Sequence, residues 1–253
     1  MNLKNLRKHW DRFGKSDPLW AICTWEEKKG NKWNLNEFFA YGRREINGIM
    51  RDIDALSVHL SYKKALDFGC GAGRLTQALA KYFDEVHGVD IAPSMIELAK
   101  RYNCYGAKCK YHLNIANNLK LFPDNSFDFI YTSQVLQHME PRYSKGYIRE
   151  FLRILKSNGL LVFHIVSNVK LKQRHTLKQQ IKRMLPTALL DLYYSIRYGE
   201  KARMEMYGIK KEDVIKFLNE NEAKIVDIKE DNTSPEKFPS FIYYVRRNDY
   251  KYE

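Results

Sequence analysis

The run Ala65-Leu66-Asp67-Phe68-Gly69-Cys70-Gly71-Ala72-Gly73-Arg74 constrains the fold more than any other stretch, because an apolar segment ends there in an acid and then in three glycines at every second position. Glycine has no Cβ and takes φ > 0 freely, so the backbone can turn sharply out of a strand, approach a ligand closely and enter a helix. Such a turn makes the floor of a nucleotide-type site in an α/β domain. The spacing also excludes one ligand class. A dinucleotide fingerprint needs G-x-G-x-x-G, and the residue three after Gly71 is Arg74. The pattern is D-x-G-x-G-x-G, and Asp67 would repel a pyrophosphate at close range. A cationic cofactor without phosphate suits the turn better, and S-adenosylmethionine, with its sulfonium and ammonium, has that chemistry.

Further ordered blocks follow the turn: Val86-His87-Gly88-Val89-Asp90-Ile91, Ser94-Met95-Ile96-Glu97-Leu98-Ala99, Phe122-Pro123-Asp124-Asn125-Ser126-Phe127-Asp128-Phe129-Ile130-Tyr131, and Leu155-Lys156-Ser157-Asn158-Gly159-Leu160-Leu161-Val162-Phe163. With these blocks, residues 64–166 resemble a class I S-adenosylmethionine-dependent methyltransferase, of the broad group that includes ubiquinone/menaquinone-type and small-molecule enzymes. The resemblance implies a Rossmann-like α/β fold: a seven-stranded, mostly parallel sheet with its last strand antiparallel and helices on both faces.

Periodicity agrees with alternating strands and helices. After the strand that ends at Phe68, strands are expected at Glu85–Asp90, Lys110–Asn114, Phe127–Ser133 and Leu160–Val166. Pro141 should open a helix that Asn158-Gly159 ends. A helix over Lys211–Glu220 and strands over Ala223–Glu230 and Ser240–Arg246 close the chain. Residues 1–62 are dense in aromatics, from Trp10 to Tyr41, and are expected to form an N-terminal lid or cap, with Asn36 capping a helix from Glu37. The core is expected over 63–166, a helical insertion over 167–208, and the closing helix and strand pair over 209–253, all in one domain.

Asp90 stands 21 residues after Gly69 at a strand end, where a carboxylate can accept two ribose hydroxyls. The resemblance extends cofactor contact to Asp67, Gly69, Gly71, Gly73, Ile91 on the adenine face, Asn114 and Ile115 after the third strand, and Ser133 after the fourth. Arg43 is a candidate partner for the methionine carboxylate. In the turn Tyr131-Thr132-Ser133-Gln134-Val135-Leu136-Gln137-His138-Met139-Glu140-Pro141, His138 is the candidate general base; His164 is a second candidate and Glu205 a candidate acceptor contact. Neither an Asn-Pro-Pro-Tyr motif nor a Pro-Cys pair is present, which disfavours nucleobase methylation. No strong base is required, because the sulfonium is already activated and alignment can carry the reaction.

Composition bounds the partners. Cys23, Cys70, Cys104 and Cys109 form no C-x-x-C pair and complete no metal site, as expected of free thiols in a reducing cytoplasm. No run reaches the ~18 apolar residues of a membrane span. The net charge of +13 raises the local concentration of anionic partners. The run from Lys170 to Arg183 has six Lys and Arg and no acid, with Leu177, Ile181, Met184 and Leu185 as an apolar stripe. It is expected to flank the acceptor mouth, facing an anionic substrate or a membrane surface to which a cytoplasmic protein attaches peripherally. The expected function is methyl transfer to oxygen or nitrogen of a small molecule related to glycans, lipids or secondary metabolites. The alternatives are an RNA or protein methyltransferase using the basic surface and a non-catalytic cofactor-binding regulatory protein.

Overall fold

The structure is a computed structural model that describes residues 1–167, 202–231 and 238–247. The basic run from Lys170 to Leu185 lies outside the described residues.

Seven strands form one sheet: β1 (Lys64–Phe68), β2 (Glu85–Asp90), β3 (Cys109–Leu113), β4 (Phe127–Thr132), β5 (Leu155–Val166), β6 (Ala223–Asp231) and β7 (Ser240–Arg247). Their order is β3-β2-β1-β4-β5-β7-β6. β1 pairs in parallel with β2 and β4, β2 with β3 and β4 with β5, whereas β7 runs antiparallel to both β5 and β6. This is the expected Rossmann-like fold. Strand order reverses between β1 and β4, and ligands of open α/β sheets bind outside the carboxyl ends of the strands at such a point.

Side chains alternate along each strand, so the sheet feeds two cores. Leu66, Phe68, Ile130, Phe163 and Tyr243 pack on one face with α6 (Pro141–Ile154) and α7 (Lys211–Glu220). Ala65, Phe129, Tyr131, Val162 and Tyr244 pack on the other with α3 (Leu35–Ala55), α4 (Arg74–Leu79) and α5 (Pro93–Tyr102). The leader adds α1 (Leu3–Ser16) and α2 (Pro18–Ile22). α1 lies on α5, where the Ser94 hydroxyl donates to the Asp11 carbonyl at 2.9 Å and the Ser94 N–H to the Asp11 carboxylate at 3.0 Å.

Two boundaries differ from the sequence reading. The cap of α3 is Asn34 rather than Asn36: the helix begins at Leu35, and the Asn34 side chain accepts from the Glu37 N–H, three residues on, at 3.2 Å. Asn158-Gly159 does not end α6. That helix stops at Ile154, Leu155 is already extended, and β5 carries a bulge in which Phe127 pairs with Leu155 but Phe129 with Leu160. Gly159 sits there because a Cβ would lie 2.7 Å from the Leu155 side chain and 3.0 Å from the Asp128 carbonyl. Lys156 closes the bulge on the Asp128 carboxylate at 2.9 Å.

Candidate active site

The turn after β1 is held by main chain and by one acid. The N–H groups of Gly69 and Cys70 donate to the Val89 carbonyl at 2.8 and 3.0 Å. The Gly71 N–H donates to Asp90 Oδ2 at 2.9 Å and the Ala92 N–H to Asp90 Oδ1 at 2.8 Å. Each Asp90 oxygen therefore keeps a lone pair for a second donor. Burial pushes the Asp90 carboxyl above the usual carboxylate range, so donors that favour its charged form are drawn to it. Gly69 has φ +77°, and a Cβ there would come 2.3 Å from Val135; Gly71 has φ +51°, with Ile22 2.7 Å from its would-be Cβ. Both positions need glycine for conformation and for space.

Above this turn opens a cavity of about 400 Å³. Gly69, Gly71, Asp90, Ile91, Asn114 and Ser133 lie on its wall, as do His138 and His164. The leader closes the far side through Leu3, Leu6, Trp10, Trp20 and Trp25, and Met204 and Met206 complete it. The charged wall residues among those described are Glu26, Glu45, Asp90 and Arg74. Among the described residues, the basic surplus of the sequence is not found on this wall.

Four of the cofactor candidates are not brought to the wall. The Asp67 carboxylate is buried beneath the turn, accepts from the Thr76 hydroxyl at 2.6 Å, and is pushed up to about 7 by burial. It ties β1 to α4 instead of meeting a ligand. Gly73 caps α4 with φ +83°, its missing Cβ making room for the Tyr111 hydroxyl. Ile115 points outward, 57% exposed. Arg43 yields to Arg74 for a helical reason: Tyr41 and Glu45, four apart on α3, face the cavity, and Arg43 is turned off that stripe.

Arg74 is the wall cation. It donates to Glu45 at 2.8 Å, lies 5.0 Å from the Tyr41 ring, and leaves its buried Nε without a partner. Gly42 permits this, since a Cβ there would be 2.5 Å from Arg74 Cγ. The signal was in the sequence, because Arg74 ends the glycine motif; its partner on α3 was not legible.

Asn114 is on the wall with its amide engaged: Nδ2 donates to the Asn118 carbonyl at 2.8 Å and Oδ1 accepts from the Ala116 N–H at 3.2 Å. His138 lies in a 3-10 turn, Leu136–His138, and its Nδ1 donates to the Glu205 carbonyl at 2.8 Å. That bond leaves Nε2 as an acceptor, and the Gln137 amide nitrogen donates to it at 3.5 Å. Trp10 meets the ring edge-on at 5.2 Å, and burial pulls the imidazole down to about 4, so it is neutral at physiological pH. The Glu205 carboxylate accepts from the Tyr207 hydroxyl and is not on the wall.

A family model described as "Methyltransferase domain" matches residues 66–163, the segment that holds the glycine turn, Asp90 and the turn after β4. Residues 66–163 are a methyltransferase domain. The domain is similar to phosphoethanolamine N-methyltransferase 3 of Arabidopsis thaliana, 34% identical over 99 residues, 38% of this chain and 20% of that protein. It is also similar to the mitochondrial ubiquinone biosynthesis O-methyltransferase of Schizosaccharomyces pombe, 29% identical over 146 residues, 55% of this chain and 52% of that protein. An uncharacterized protein of Haemophilus influenzae is 36% identical over 107 residues, 41% of this chain and 43% of that protein. The chain thus spans about a fifth to about half of the relatives it matches. In fold, the magnesium protoporphyrin IX methyltransferase of Synechocystis PCC 6803 with bound S-adenosylhomocysteine superposes with a TM-score of 0.63 at 18% identity, covering 97% of this chain and all of that one.

Proposed function

We propose that this protein transfers a methyl group from S-adenosylmethionine to oxygen or nitrogen of a small, largely apolar acceptor. The observation that carries this reading is the cavity itself, which runs without a break from the glycine turn and Asp90 to a wall of Leu3, Leu6, Trp10, Met204 and Met206. One end offers a carboxylate with spare lone pairs; the other offers apolar and aromatic surface, as ligand pockets do.

In this reading Asp90 accepts the ribose hydroxyls and Ile91 covers the adenine face. Gly69 and Gly71 let the backbone approach the cofactor, with Ser133 on the opposite side. The domain supplies orientation: Tyr41, Glu45 and Arg74 fix one flank and the leader excludes water from the other. The acids on the wall favour a neutral or cationic acceptor over an anionic one, because bringing an anion beside Glu26, Glu45 and Asp90 costs Coulomb energy that one paired arginine does not offset.

The test is incubation with tritiated S-adenosylmethionine and a panel of small phenols, alcohols and amines, beside bulk RNA and a protein extract. Label in organic-soluble products is the expected result. Label confined to RNA or protein would overturn the acceptor class, and calorimetry showing no cofactor binding would overturn the reading altogether. No helix among the described residues is long and apolar enough to cross a membrane.

A further inference from the structure

The ionisable groups at the cavity stand beside partners inside the fold: Arg74 is 2.8 Å from Glu45, and the His164 ring is 3.2 Å from Asp231. A positive surface is found instead on the outside of α1, whose 14 residues carry five Lys and Arg and a single acid. At 3.6 residues per turn, Lys4, Lys8, Arg12 and Lys15 follow one another along one face of that helix, and Leu3, Leu6, Trp10 and Phe13 along another. Leu3, Leu6 and Trp10 line the cavity and Phe13 is buried, so the basic face is turned outward. Lys4, Lys8 and Lys15 are exposed. Asp11, the one acid, is held against α5: one of its oxygens accepts from the Ser94 N–H at 3.0 Å and the other from Lys15 at 2.6 Å. Lys4 and Lys8 have no ion pair among the described residues. Arg203, whose N–H donates to His9 Nδ1 at 3.3 Å, adds a cation to the segment that meets α1.

From Lys4 to Lys15 the cations run along about 17 Å of helix, an array that an extended anionic surface matches and a single small anion does not. Two observations favour lipid headgroups over nucleic acid. The aromatic side chains of α1 are turned inward, Trp10 to the His138 ring at 5.2 Å and to Phe13 at 5.6 Å, so the basic face offers no ring on which a base could stack. On its other side the helix walls a cavity of apolar side chains and acids, which suits an apolar molecule and repels phosphate. A bilayer supplies an anionic plane together with dissolved apolar molecules. Going beyond the methyl-transfer reading, we propose that the basic face of α1 docks this protein on an anionic lipid surface.

Docking there holds the cavity about 10 Å, one helix diameter, from the headgroups. All four large apolar residues of α1 face inward, so the helix lies on the headgroups without entering the acyl chains, and salt releases it.

Flotation of the whole chain with vesicles tests this and uses neither cofactor nor acceptor, so its outcome is independent of the methyl-transfer reading, which calorimetry with S-adenosylmethionine decides separately. The parent should float with phosphatidylcholine vesicles that contain phosphatidylglycerol at low salt, and should stay in solution at high salt or with phosphatidylcholine alone. The triple variant Lys4→Gln, Lys8→Gln, Lys15→Gln should lose partition by on the order of 100-fold, and Lys8→Glu alone by about tenfold, with urea midpoints like the parent's. Arginine at the same three positions should keep flotation. A control with as many charges removed at the amino ends of the strands, Lys63→Gln, Lys81→Gln, Lys224→Gln, should float as the parent does. A parent that stays in solution, a triple α1 variant that still floats, or equal losses in both triple variants would overturn the proposal. Flotation that survives high salt would replace electrostatic docking by insertion, and a parent that shifts single-stranded RNA in a gel but leaves anionic vesicles unbound would give the face to nucleic acid; each of these results also overturns it.

Discussion

The two halves of the cavity are built by different means. The half around Gly69, Gly71 and Asp90 comes from the ends of two adjacent strands, and its contacts are backbone N–H groups meeting one carbonyl and one carboxylate within 25 residues of chain. The other half joins pieces far apart in sequence: Trp10 from α1, His138 from the turn after β4, His164 from β5, and the 204–206 segment. One half is fixed by local conformation and the other by tertiary docking. Substitutions should therefore break the first through backbone strain and lost ligand bonds, and the second through packing and protonation.

The largest effect is expected at Gly69. Gly69→Ala forces a side chain into φ +77° and drives its Cβ to 2.3 Å from Val135. Left-handed strain and overpacking together should cost roughly 2–5 kcal/mol of folding stability and abolish cofactor binding, read by denaturant unfolding and calorimetry. A variant as stable as the parent would show that the turn is not under this constraint.

Asp90→Ala comes next. It should weaken S-adenosylmethionine binding by about 2–4 kcal/mol, because two charge-assisted bonds to ribose disappear. It should also loosen the turn, since the Gly71 and Ala92 N–H groups lose their acceptor. Unchanged affinity in a folded variant would remove Asp90 from the site.

The pH dependence of stability should separate the halves by sign. Asp67, in the strand-end half, has its folded pKa raised to about 7 from 3.8, so its neutral form is favoured by folding and its contribution is lost as pH rises from about 4 through 7. His138, in the docked half, has its folded pKa lowered to about 4 from 6.5, so its contribution is present above 6.5 and lost as pH falls toward 4. Each should amount to about 3–4 kcal/mol across its window. Urea midpoints of Asp67→Asn and His138→Gln against the parent, measured every half pH unit, should show differences of opposite slope. Parallel slopes would refute the contrast.

The smallest effect on the cofactor is expected at Trp10. Trp10→Ala removes half-buried packing on His138 and Phe13 and should cost roughly 1–2 kcal/mol of stability, with S-adenosylmethionine affinity changed by no more than about threefold. A tenfold loss of affinity would show that α1 closes over the cofactor as well as over the acceptor space.

The same division sets how much could be read from the residues in order. The strand pattern and the glycine turn follow from periodicity and from a motif a few residues long, and these were legible; the antiparallel last strand was implied by the family resemblance. Arg43 is the sequence's candidate, but helical phase on α3 cannot be fixed until its cap is known, and Asn34 rather than Asn36 caps that helix. Asp67 read as a ligand contact because its charge sits beside the turn in sequence, but the strand pleat sends it to Thr76. No spacing rule links His164 to Asp231 across 67 residues.

The sequence by itself determined the sheet, the turn that lets a backbone approach a cofactor, and the acid at the end of β2, because each depends on residues within one strand, turn or helix start. Only the tertiary structure decided which charges share the cavity. The Arg74–Glu45 pair, the neutral His138 under Trp10 and the His164–Asp231 contact all arise from burial and from the docking of distant elements, and those determine desolvation and partner distance, the two quantities that set what an ionisable side chain can do.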